Sequence, residues 1–495
     1  MVRNAKIIAL SLLLTLSISG LPTTRAAAQD VLWSASVGGF YTERGYAGCV
    51  CSDGGYAILG STFSYGAGDH DIYFIKLDSL GDTAWTATYG GPATDYGYGV
   101  QHMPDGGFVI VGSTRSSGAG EVDVLVIRTD MTGVESWSRT YGGAQVDEGK
   151  AVRVTSDGGL IIVGTTSSSG AGYSDLYLIR TNSLGDTAWT RTYGGAGGES
   201  GIDVCQTLDG GFVAVGNTGT FGEGYSSIYA VRTNASGDSL WATTYGGPRS
   251  DVGYAVSLAP DGGLVFAGAT ALADGYSDMY LVKTDPNGIQ EWDQTYGGSR
   301  DDVAWSVQPA TDGGYLIAGT TQSYGSGGID MYVVKTNPIG ASDWSQTYGG
   351  TKSDYCRRVI VSGNDYCLIG DSYSYALGAS DVYVVKIEGS GATPVDEFDD
   401  LLPSHLALSQ NYPNPFNMST AIEFELDRRM PVTLTIFNVL GQIVRQWDFG
   451  SSALGSYRVD WDGRDDRGSE VASGIYLYRL TTPVTHRTKK MVLLK

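Results

Sequence analysis

The sequence predicts an all-β protein built mainly from seven tandem repeats, and three observations support this prediction. Tryptophan recurs every 51 or 52 residues, and a Tyr-Gly-Gly triplet begins four residues after each of the last six of these tryptophans. Asp-Gly-Gly, which is typical of a tight turn between strands, recurs in six of the repeats. No segment within the repeats has the apolar period of a helix. The seven tryptophans are Trp33, Trp85, Trp137, Trp189, Trp241, Trp292 and Trp344.

Each repeat has the pattern of four strands. In the second repeat we expect strands at 98–103, 108–112, 124–128 and 136–141, with Asp105-Gly106-Gly107 in the first turn. A four-stranded unit repeated seven times matches a seven-bladed β-propeller. An open β-solenoid is the alternative, but its units are usually shorter.

The two ends of the repeat array are complementary. The first element, at 33–37, is an isolated tryptophan strand, whereas the last repeat ends at Lys386 without a tryptophan strand. The N-terminal strand is therefore expected to complete the last unit, which would close a ring and remove two free sheet edges.

Four segments are predicted along the chain. Residues 1–28 have the basic start, the apolar run at 7–18 and the Ala26-Ala27-Ala28 site of a signal peptide. That run is shorter than the ~20 residues of a membrane span, and we expect no membrane span elsewhere. Residues 29–388 form the propeller, 389–405 an acidic flexible linker, and 406–495 a small antiparallel, Ig-like β-sandwich, with strand patterns at 421–426, 432–438, 442–447, 457–461, 475–480 and 491–494.

The last 90 residues resemble the type A C-terminal sorting domain of the bacterial type IX secretion system. The resemblance rests on Phe437 to Gln442, Trp461 to Asp465, Gly474 to Leu480, the Lys489 to Lys495 tail, and a proline-rich motif. It implies export across the inner and outer membranes, with the type IX machinery as a partner and an extracellular or outer-surface location. The sorting-motif residues are Asn411, Tyr412, Pro413, Asn414, Pro415, Phe416, Asn417, Gly441, Gly474, Lys489 and Lys490.

Charge and composition exclude some classes of function. The chain has a net charge of -21, and residues 29–405 carry a net charge of -26, so the predicted propeller repels nucleic acid. No nucleophile motif, phosphate-binding loop or metal-ligand spacing is present, so we expect no cofactor and no metal. Five cysteines are present, and their positions predict no disulfide framework.

Two sets of repeated polar residues have competing interpretations. An acid follows each Tyr-Gly-Gly position, and seven carboxylates in a ring could bind a cation at the channel mouth; the alternative is that each caps a turn or pairs with a base. On the third strand, an Asp and a base five residues later face opposite sides, so we expect them to bond to neighbouring sheets. The acids are Glu43, Asp95, Asp147, Glu199, Asp251, Asp302 and Asp354.

The candidate binding face carries the longer connections, because function usually lies on loops over a rigid scaffold. Three residues after each acid, the chemistry varies from repeat to repeat: Tyr46, Tyr98, Lys150, Ile202, Tyr254, Trp305 and Arg357. Loops on the same face carry a second set: Tyr65, Tyr173, Tyr225, Tyr276, Tyr324 and Tyr375. Aromatic rings of this kind can anchor a glycan or a protein, or can simply pack the loops.

These observations predict a non-catalytic binding or adhesion protein whose ligand is an extracellular glycan or protein. A secreted carbohydrate-active hydrolase or lyase is the alternative, because a propeller can bring distant acids together. A purely structural surface protein is the third option.

Overall fold

The computed structural model describes residues 30–389 except 311, and residues 407–494 except 409–410, 412, 418, 427–429, 439–442, 453–454 and 482–485. The expected signal peptide, most of the expected linker, and the motif residues Tyr412 and Gly441 therefore lie outside the described residues. In the described ranges every regular element is a strand, which confirms the all-β prediction, and none is a helix that could cross a membrane.

Residues 31–387 form seven four-stranded antiparallel sheets, numbered here in chain order. Sheet 1 contains β2 (Glu43–Val50), β3 (Tyr56–Thr62), β4 (Asp71–Leu77) and β5 (Thr83–Tyr89). Sheet 2 contains β6 (Asp95–His102), β7 (Phe108–Thr114), β8 (Asp123–Thr129) and β9 (Glu135–Tyr141). Sheet 3 contains β10 (Asp147–Val154), β11 (Leu160–Thr166), β12 (Asp175–Thr181) and β13 (Thr187–Tyr193). Sheet 4 contains β14 (Glu199–Gln206), β15 (Phe212–Thr218), β16 (Ser227–Thr233) and β17 (Ser239–Tyr245).

The remaining three sheets follow the same order, except that the last takes its fourth strand from the other end of the array. Sheet 5 contains β18 (Asp251–Leu258), β19 (Leu264–Ala271), β20 (Ser277–Thr284) and β21 (Gln290–Tyr296). Sheet 6 contains β22 (Asp302–Pro309), β23 (Tyr315–Thr321), β24 (Asp330–Thr336) and β25 (Ser342–Tyr348). Sheet 7 contains β26 (Asp354–Ser362), β27 (Asp365–Ser372), β28 (Asp381–Ile387) and β1 (Val31–Val37).

The seven sheets form a closed, propeller-like ring. The first strand of each sheet contacts the first strand of the next, and β26 contacts β2. As predicted, β1 pairs antiparallel with β28, from Val31 opposite Ile387 to Val37 opposite Val382. The second and third strands of the sheets are almost entirely buried, whereas the fourth strands are largely exposed. The core therefore lies between neighbouring sheets.

A repeated contact couples neighbouring sheets at the outside of the ring. A Cβ on Gly133 would lie only 2.7 Å from the ring of Trp85 in the preceding sheet, so the indole packs directly on the backbone of this turn. In five of the repeats, the tyrosine four residues after the tryptophan donates its hydroxyl to the same kind of glycine, as Tyr141 does to the carbonyl oxygen of Gly185 over 2.6 Å. Trp33 packs on Gly81 in the same way and so joins sheet 7 to sheet 1. The repeated aromatic residues are thus explained by the packing between sheets.

The expected partners of the third-strand bases were wrong. Lys76 lies 2.9 Å from Asp53, and Arg180 lies 2.5 Å from Asp157. Each partner is the Asp of the Asp-Gly-Gly turn in the same sheet, because the base points along its own strand towards that turn. In five of the sheets, the Asp at the start of the third strand accepts a backbone hydrogen bond from its own loop, as Asp71 does from Ala67 and Gly68.

The first strand of each repeat begins earlier than the sequence indicates. In sheet 2 it begins at Asp95 rather than at Tyr98. Glycine weakens a strand in general, so the sequence around Gly97 does not by itself indicate a strand. A Cβ on Gly97 would lie 2.8 Å from Ile72 and 3.0 Å from Leu59, so glycine is required where this strand packs on the preceding sheet.

The C-terminal residues form two further antiparallel sheets. One contains β29 (Ala407–Leu408), β30 (Thr420–Leu426) and β33 (Gly455–Trp461); the other contains β32 (Ile443–Ser452), β31 (Met430–Asn438), β34 (Gly474–Thr481) and β35 (His486–Leu493). All six strands that the pattern predicts are present, although β35 begins five residues early. Their apolar residues share one core that includes Phe424, Leu434, Trp461, Tyr478 and Met491.

The proline-rich motif is fastened to the last strand. Phe416 donates its backbone N–H to the carbonyl oxygen of Val492 over 3.0 Å and packs 5.6 Å from Trp461, measured between ring centroids. The side-chain oxygen of Asn414 accepts the N–H of Val492 over 2.9 Å. Buried Asn411 donates to Thr420 over 2.9 Å. The motif and the C-terminal tail, about 80 residues apart in sequence, therefore form one structural unit.

Deletion of residues 33–39 should destabilise the ring strongly, because β28 would lose its only outer neighbour and sheet 1 would lose Trp33. We expect the loss to exceed about 5 kcal/mol, the upper end for one large-to-small core substitution. Thermal and denaturant unfolding of the full chain measure it, with Leu32→Ala on the exposed side of β1 as the control. Unfolding curves that coincide for the deletion and the control would contradict closure by this strand.

Candidate functional site

Each first strand contains a β-bulge at the same position in the repeat. In sheet 1 the register with β3 shifts between Gly45 and Ala47, which leaves Tyr46 as the extra residue. The other six bulges likewise leave one extra residue each: Tyr98, Lys150, Ile202, Tyr254, Trp305 and Arg357. A bulge redirects a side chain out of the regular alternation of a strand. The seven bulge residues are the seven variable positions that the sequence singled out.

All seven bulge residues line one cavity of about 330 Å³ at the centre of the ring. They enter it near the start of the first strands, on the side of the longer connections. A cavity of this size is at the small end of ligand-binding sites, which are typically about 300–1,000 Å³. The deeper lining comes from residues one to three positions further along the strands, among them Gln101, Arg153, Asp203 and Arg358.

The bulge residues form a nearly continuous collar around the cavity. Tyr46 and Tyr98 have ring centroids 5.3 Å apart, and the ammonium of Lys150 lies 4.1 Å from the Tyr98 centroid. On the other side, the rings of Tyr254 and Trp305 are 4.1 Å apart. The Arg357 guanidinium joins the two groups, since it lies 5.8 Å from Trp305 and 5.3 Å from Tyr46. Ile202 lies in the remaining part of the collar.

An ion-paired cluster crosses the channel at the bottom of this cavity. Arg153 of β10 donates to Asp203 of β14 over 2.7 Å. Arg358 of β26 reaches the other carboxylate oxygen of Asp203 at 3.9 Å. Because β14 and β26 are not neighbours in the ring, this pair spans the channel. Asp203 also accepts the backbone N–H of Val256 over 3.2 Å.

The cavity is cationic although the protein is strongly acidic. Its lining includes Lys150, Arg153, Arg357 and Arg358, against the single carboxylate of Asp203. Lys150 and Arg357 are also paired with Glu148 and Asp371, at 3.0 Å and 3.2 Å. Burial raises the pKa of Tyr98 and of Tyr254, so both phenols keep their protons at neutral pH and can donate hydrogen bonds.

The six loop tyrosines lie apart from the cavity. Three of them donate their hydroxyls to carbonyl oxygens of the nearby connections: Tyr65 to Gly38, Tyr324 to Gly297 and Tyr375 to Gly349. Each of these three also contacts the tyrosine of its own third strand, for example Tyr375 with Tyr383 at 4.9 Å. Tyr173, Tyr225 and Tyr276 are exposed, the first two by 85% and 92%. The loop tyrosines and the bulge residues, which are the two sets of predicted binding residues, therefore lie in different places.

The acids at the start of the first strands lie under turns. Each accepts a backbone N–H from the second glycine of the preceding turn, over 2.6–2.8 Å in all seven repeats. Neighbouring hydroxyl groups donate to the same carboxylates, as Ser116 does to Asp95 over 2.7 Å. These contacts favour the turn-capping interpretation. Among the described residues there is no cluster of three or more His, Cys, Asp or Glu arranged to hold a metal ion.

Sequence reasoning missed the deeper cavity residues Gln101, Arg153, Asp203 and Arg358. The signal that would have found Asp203 and Arg358 is a break in the repeat. The position after the bulge is small in five repeats, but holds Asp203 in the fourth and Arg358 in the seventh. Such exceptions show where symmetry is broken, although not that the two side chains meet.

The five cysteines contribute no disulfide to this site. All five are buried, and none forms a disulfide. Burial raises the pKa of the Cys51 and Cys356 thiols to about 12. Thiols of this kind are unreactive at neutral pH.

The C-terminal motif residues lie mostly at the surface of their domain. Pro413, Asn414, Pro415 and Asn417 are exposed, as are Gly474 and Lys490, whereas Asn411 and Phe416 are buried and Lys489 is half-buried. The motif thus contributes both a buried anchor and an exposed surface.

Comparison with known proteins supports an Ig-like C-terminal fold. Residues 414–484 match the FlgD Ig-like domain family. The regulatory protein FlaEY of Caulobacter vibrioides is 23% identical over an alignment 399 residues long, and the match covers 67% of this chain and 39% of that protein. The chain thus spans 39% of the length of this curated relative.

Solved structures resemble the chain only at low similarity. PorZ, an essential bacterial surface component of the type IX secretion system of Porphyromonas gingivalis, matches with a TM-score of 0.36 and 12% identity, over 92% of this chain and 59% of that one. A puromycin hydrolase matches with a TM-score of 0.44 and 13% identity, over 78% of this chain and 59% of that one.

One of the third-strand carboxylates has an unusual environment. Asp278, at the start of the third strand in sheet 5, has a buried oxygen without a hydrogen-bond partner. Burial, and then the negative charges of Asp302 and Asp274, raises the pKa of Asp278 to about 6. The preceding loop is one residue shorter than in the neighbouring repeats.

Replacing Asp278 with Ser, the residue at the equivalent position 227, should stabilise the protein at neutral pH. The folded-state pKa lies above the unfolded value of about 3.9, so the folded state binds this proton more tightly. The wild-type protein therefore loses stability as the pH rises from about 4 to about 6. Thermal unfolding across this range should show the advantage of the variant growing with pH; parallel curves would contradict the prediction.

Proposed function

We propose that this chain is an exported, non-catalytic binding protein: a seven-bladed β-propeller whose central cavity holds a unit of an extracellular glycan. The observation that carries the proposal is the convergence of the seven bulge residues on one cavity. Their backbone position is the same in every repeat, whereas their side chains differ. Variation at positions that share one backbone geometry is expected of ligand contacts, since packing alone would be met by the same residue in each repeat.

The chemistry of the collar suits a sugar better than an apolar ligand. Tyr46, Tyr98, Tyr254 and Trp305 offer ring faces and edges on two sides of the cavity. Lys150, Arg357 and the protonated phenols supply donors between the rings. Pockets that bind small polar units combine such apolar walls with a few placed polar groups. The cavity size fits one or two sugar units rather than a folded protein surface.

The contacts of Asp203 favour binding over glycoside hydrolysis. Hydrolysis of this type normally requires two carboxyl groups on opposite sides of the scissile bond. Asp203 is the one carboxylate among the lining residues, and it is held by Arg153 and by two backbone N–H groups, those of Val204 and Val256. This network makes it a structural anion in the floor of the cavity.

We further propose that residues 29–388 are the cargo and that residues 406–495 are the type IX sorting domain, joined by the linker at 389–405. The proline-rich motif lies beside the last strand, because Asn414 is hydrogen-bonded to Lys490 and Val492. The exposed residues of the two segments therefore form one surface: Pro413, Asn414, Pro415 and Lys490. That surface is available to the secretion machinery. The location that follows is extracellular or on the outer cell surface.

Replacing Tyr98, Tyr254 and Trp305 together with Ala should abolish binding to a glycan that is first identified on a glycan array with the full mature chain. We expect a loss of at least about tenfold, because aromatic anchors dominate such contacts. A second variant replaces the same three residues with Ile, which is the residue at the equivalent position 202. It keeps the collar apolar, so it is a control for misfolding of the Ala variant.

Titration calorimetry measures the affinity, and thermal unfolding checks the fold of each variant. The same titration on Tyr173→Ala/Tyr225→Ala separates the cavity from the loop tyrosines. Loss of affinity in that pair, with full affinity in both folded triple variants, would place the site on the loops. If the chain binds proteins but binds no glycan on the array, the ligand is a protein.

A chain that ends at Gly389 should remain in the periplasm of a host with a type IX system, because the sorting domain is missing. Fusion of residues 406–495 to an unrelated periplasmic reporter should bring that reporter to the cell surface or the medium. Fractionation and immunoblotting measure both. Normal export of the truncated chain, or a reporter that stays in the periplasm, would refute the export route.

A further inference from the structure

A run of aromatic rings leads from the surface of the ring to the cavity. It starts at Phe40 and Tyr41 on the connection before β2, with centroids 5.4 Å apart, and Tyr41 lies 5.4 Å from Phe63. Phe63 lies 4.9 Å from His70, which lies 5.2 Å from Tyr96. We call these five residues the aromatic path. The path ends 5.9 Å from Tyr98, a member of the collar.

The outer half of the path faces solvent. Phe40, Tyr41 and Phe63 are exposed by 77%, 52% and 43%. Large apolar side chains in contact with each other and with water are uncommon on soluble proteins and often mark a binding surface. The inner rings, His70 and Tyr96, are half-buried and connect this surface to the cavity.

The repeat itself shows that the blade does not need these rings. The third repeat carries Ala144, Gln145 and Ser167 at the positions of Phe40, Tyr41 and Phe63. The backbone is the same in both places: Tyr41 donates its N–H to Ser64 over 2.9 Å, and Gln145 donates to Ser168 over 3.0 Å. Likewise, Phe63 and Ser167 each donate an N–H to the connection before the first strand. Small or polar side chains therefore satisfy the fold at these positions.

Positive charge accompanies the path into the cavity. Arg44 is exposed and forms a hydrogen bond with Tyr46, and its charge is felt at His70 and at Tyr96. Arg115 is exposed, and its charge is also felt at Tyr96. The cavity adds Lys150, Arg153, Arg357 and Arg358, which outnumber the acids paired with them (Glu148, Asp203 and Asp371) by four to three. In a chain of net charge -21, this concentration of cations points to an anionic ligand.

We infer that the aromatic path is a second binding region, which holds the chain of an extended acidic polysaccharide whose end unit occupies the cavity. This inference rests on the proposed glycan-binding function and adds to it the direction of the chain and its acidic class. Sugar rings stack along Phe40, Tyr41, Phe63, His70 and Tyr96, one after another. Their carboxylate or sulfate groups meet Arg44 and Arg115 outside the cavity and Arg357 inside it.

The test compares two lengths of acidic oligosaccharide on the full mature chain. The probes are disaccharides and decasaccharides of galacturonate, mannuronate and hyaluronan, with neutral cello-oligosaccharides of matching length. We expect at least one acidic decasaccharide to bind at least about tenfold more tightly than its disaccharide, since several stacked rings add to the contact. Affinity for the acidic probes should fall with added salt.

The decisive variant carries Phe40→Ala, Tyr41→Gln and Phe63→Ser, the residues of the third repeat. It should bind the disaccharide with the same affinity as the wild type. Its affinity for the decasaccharide should exceed its affinity for the disaccharide by no more than about twofold. The matched control carries Leu80→Ala, Leu184→Ala and Leu208→Ala. These leucines are exposed by 72%, 61% and 74% on the short turns, and the control should keep the gain.

Each alternative result has a distinct meaning. Equal affinity of the wild type for both lengths would overturn the aromatic path while the glycan-binding cavity stands. An equal loss for both lengths in the path variant would also overturn the path as a separate region. Binding of neutral probes as tight as that of acidic ones would overturn the acidic class. Failure of every oligosaccharide to bind would overturn the proposed function itself.

Discussion

The pairing of β1 with β28 is the constraint on which the rest of this structure depends. It joins residues more than 340 positions apart in sequence, and it places Trp33 on the turn glycine of sheet 1. Without it, β28 would present a free edge and sheet 1 would lose its contact with Trp33. The central cavity exists only because the first strands face one another around that ring. A single hydrogen-bonded ladder thus helps to close the ring around a cavity to which it contributes no side chain.

Each repeat contains two sets of residues with different roles: one set packs the sheets together, and the other lines the cavity. Trp, Tyr, the turn glycines and the buried acids recur because every sheet must pack on the next at the same angle. The bulge separates a single position from this packing, since the extra residue has no partner in the ladder. That position can vary without cost to the sheet, and the variation produces a collar with Tyr254 and Trp305 on one side, Tyr46, Tyr98 and Lys150 on the other, and Arg357 joining them.

The charged residues also fall into two groups, the acids near the turns and the cations near the channel. Many acids of the ring lie in turns, as Asp53 does, or beside them, as Asp95 does, where they bind a buried base or backbone N–H groups. The cations that remain near the channel, Arg153 and Arg358, share Asp203. Burying a charge is costly unless it is paired, so this cluster needs all three members. The result is a cationic cavity within an acidic protein, and the aromatic path joins it where sheet 1 meets sheet 2.

The sequence by itself determined the local elements, because a strand, a turn and a repeat each leave a pattern within a few residues. It predicted the four strands of each repeat, the closing role of β1, the C-terminal strands and the seven variable positions. It did not reveal that Gly97 belongs to a strand, that Lys76 pairs within its own sheet, or that Asp203 meets Arg358. Those facts depend on how sheets pack and on the width of the channel, which arise only when the ring closes. The aromatic path likewise combines residues of two connections with one strand of the next sheet, so only the tertiary structure decided that Phe40 leads to Tyr98.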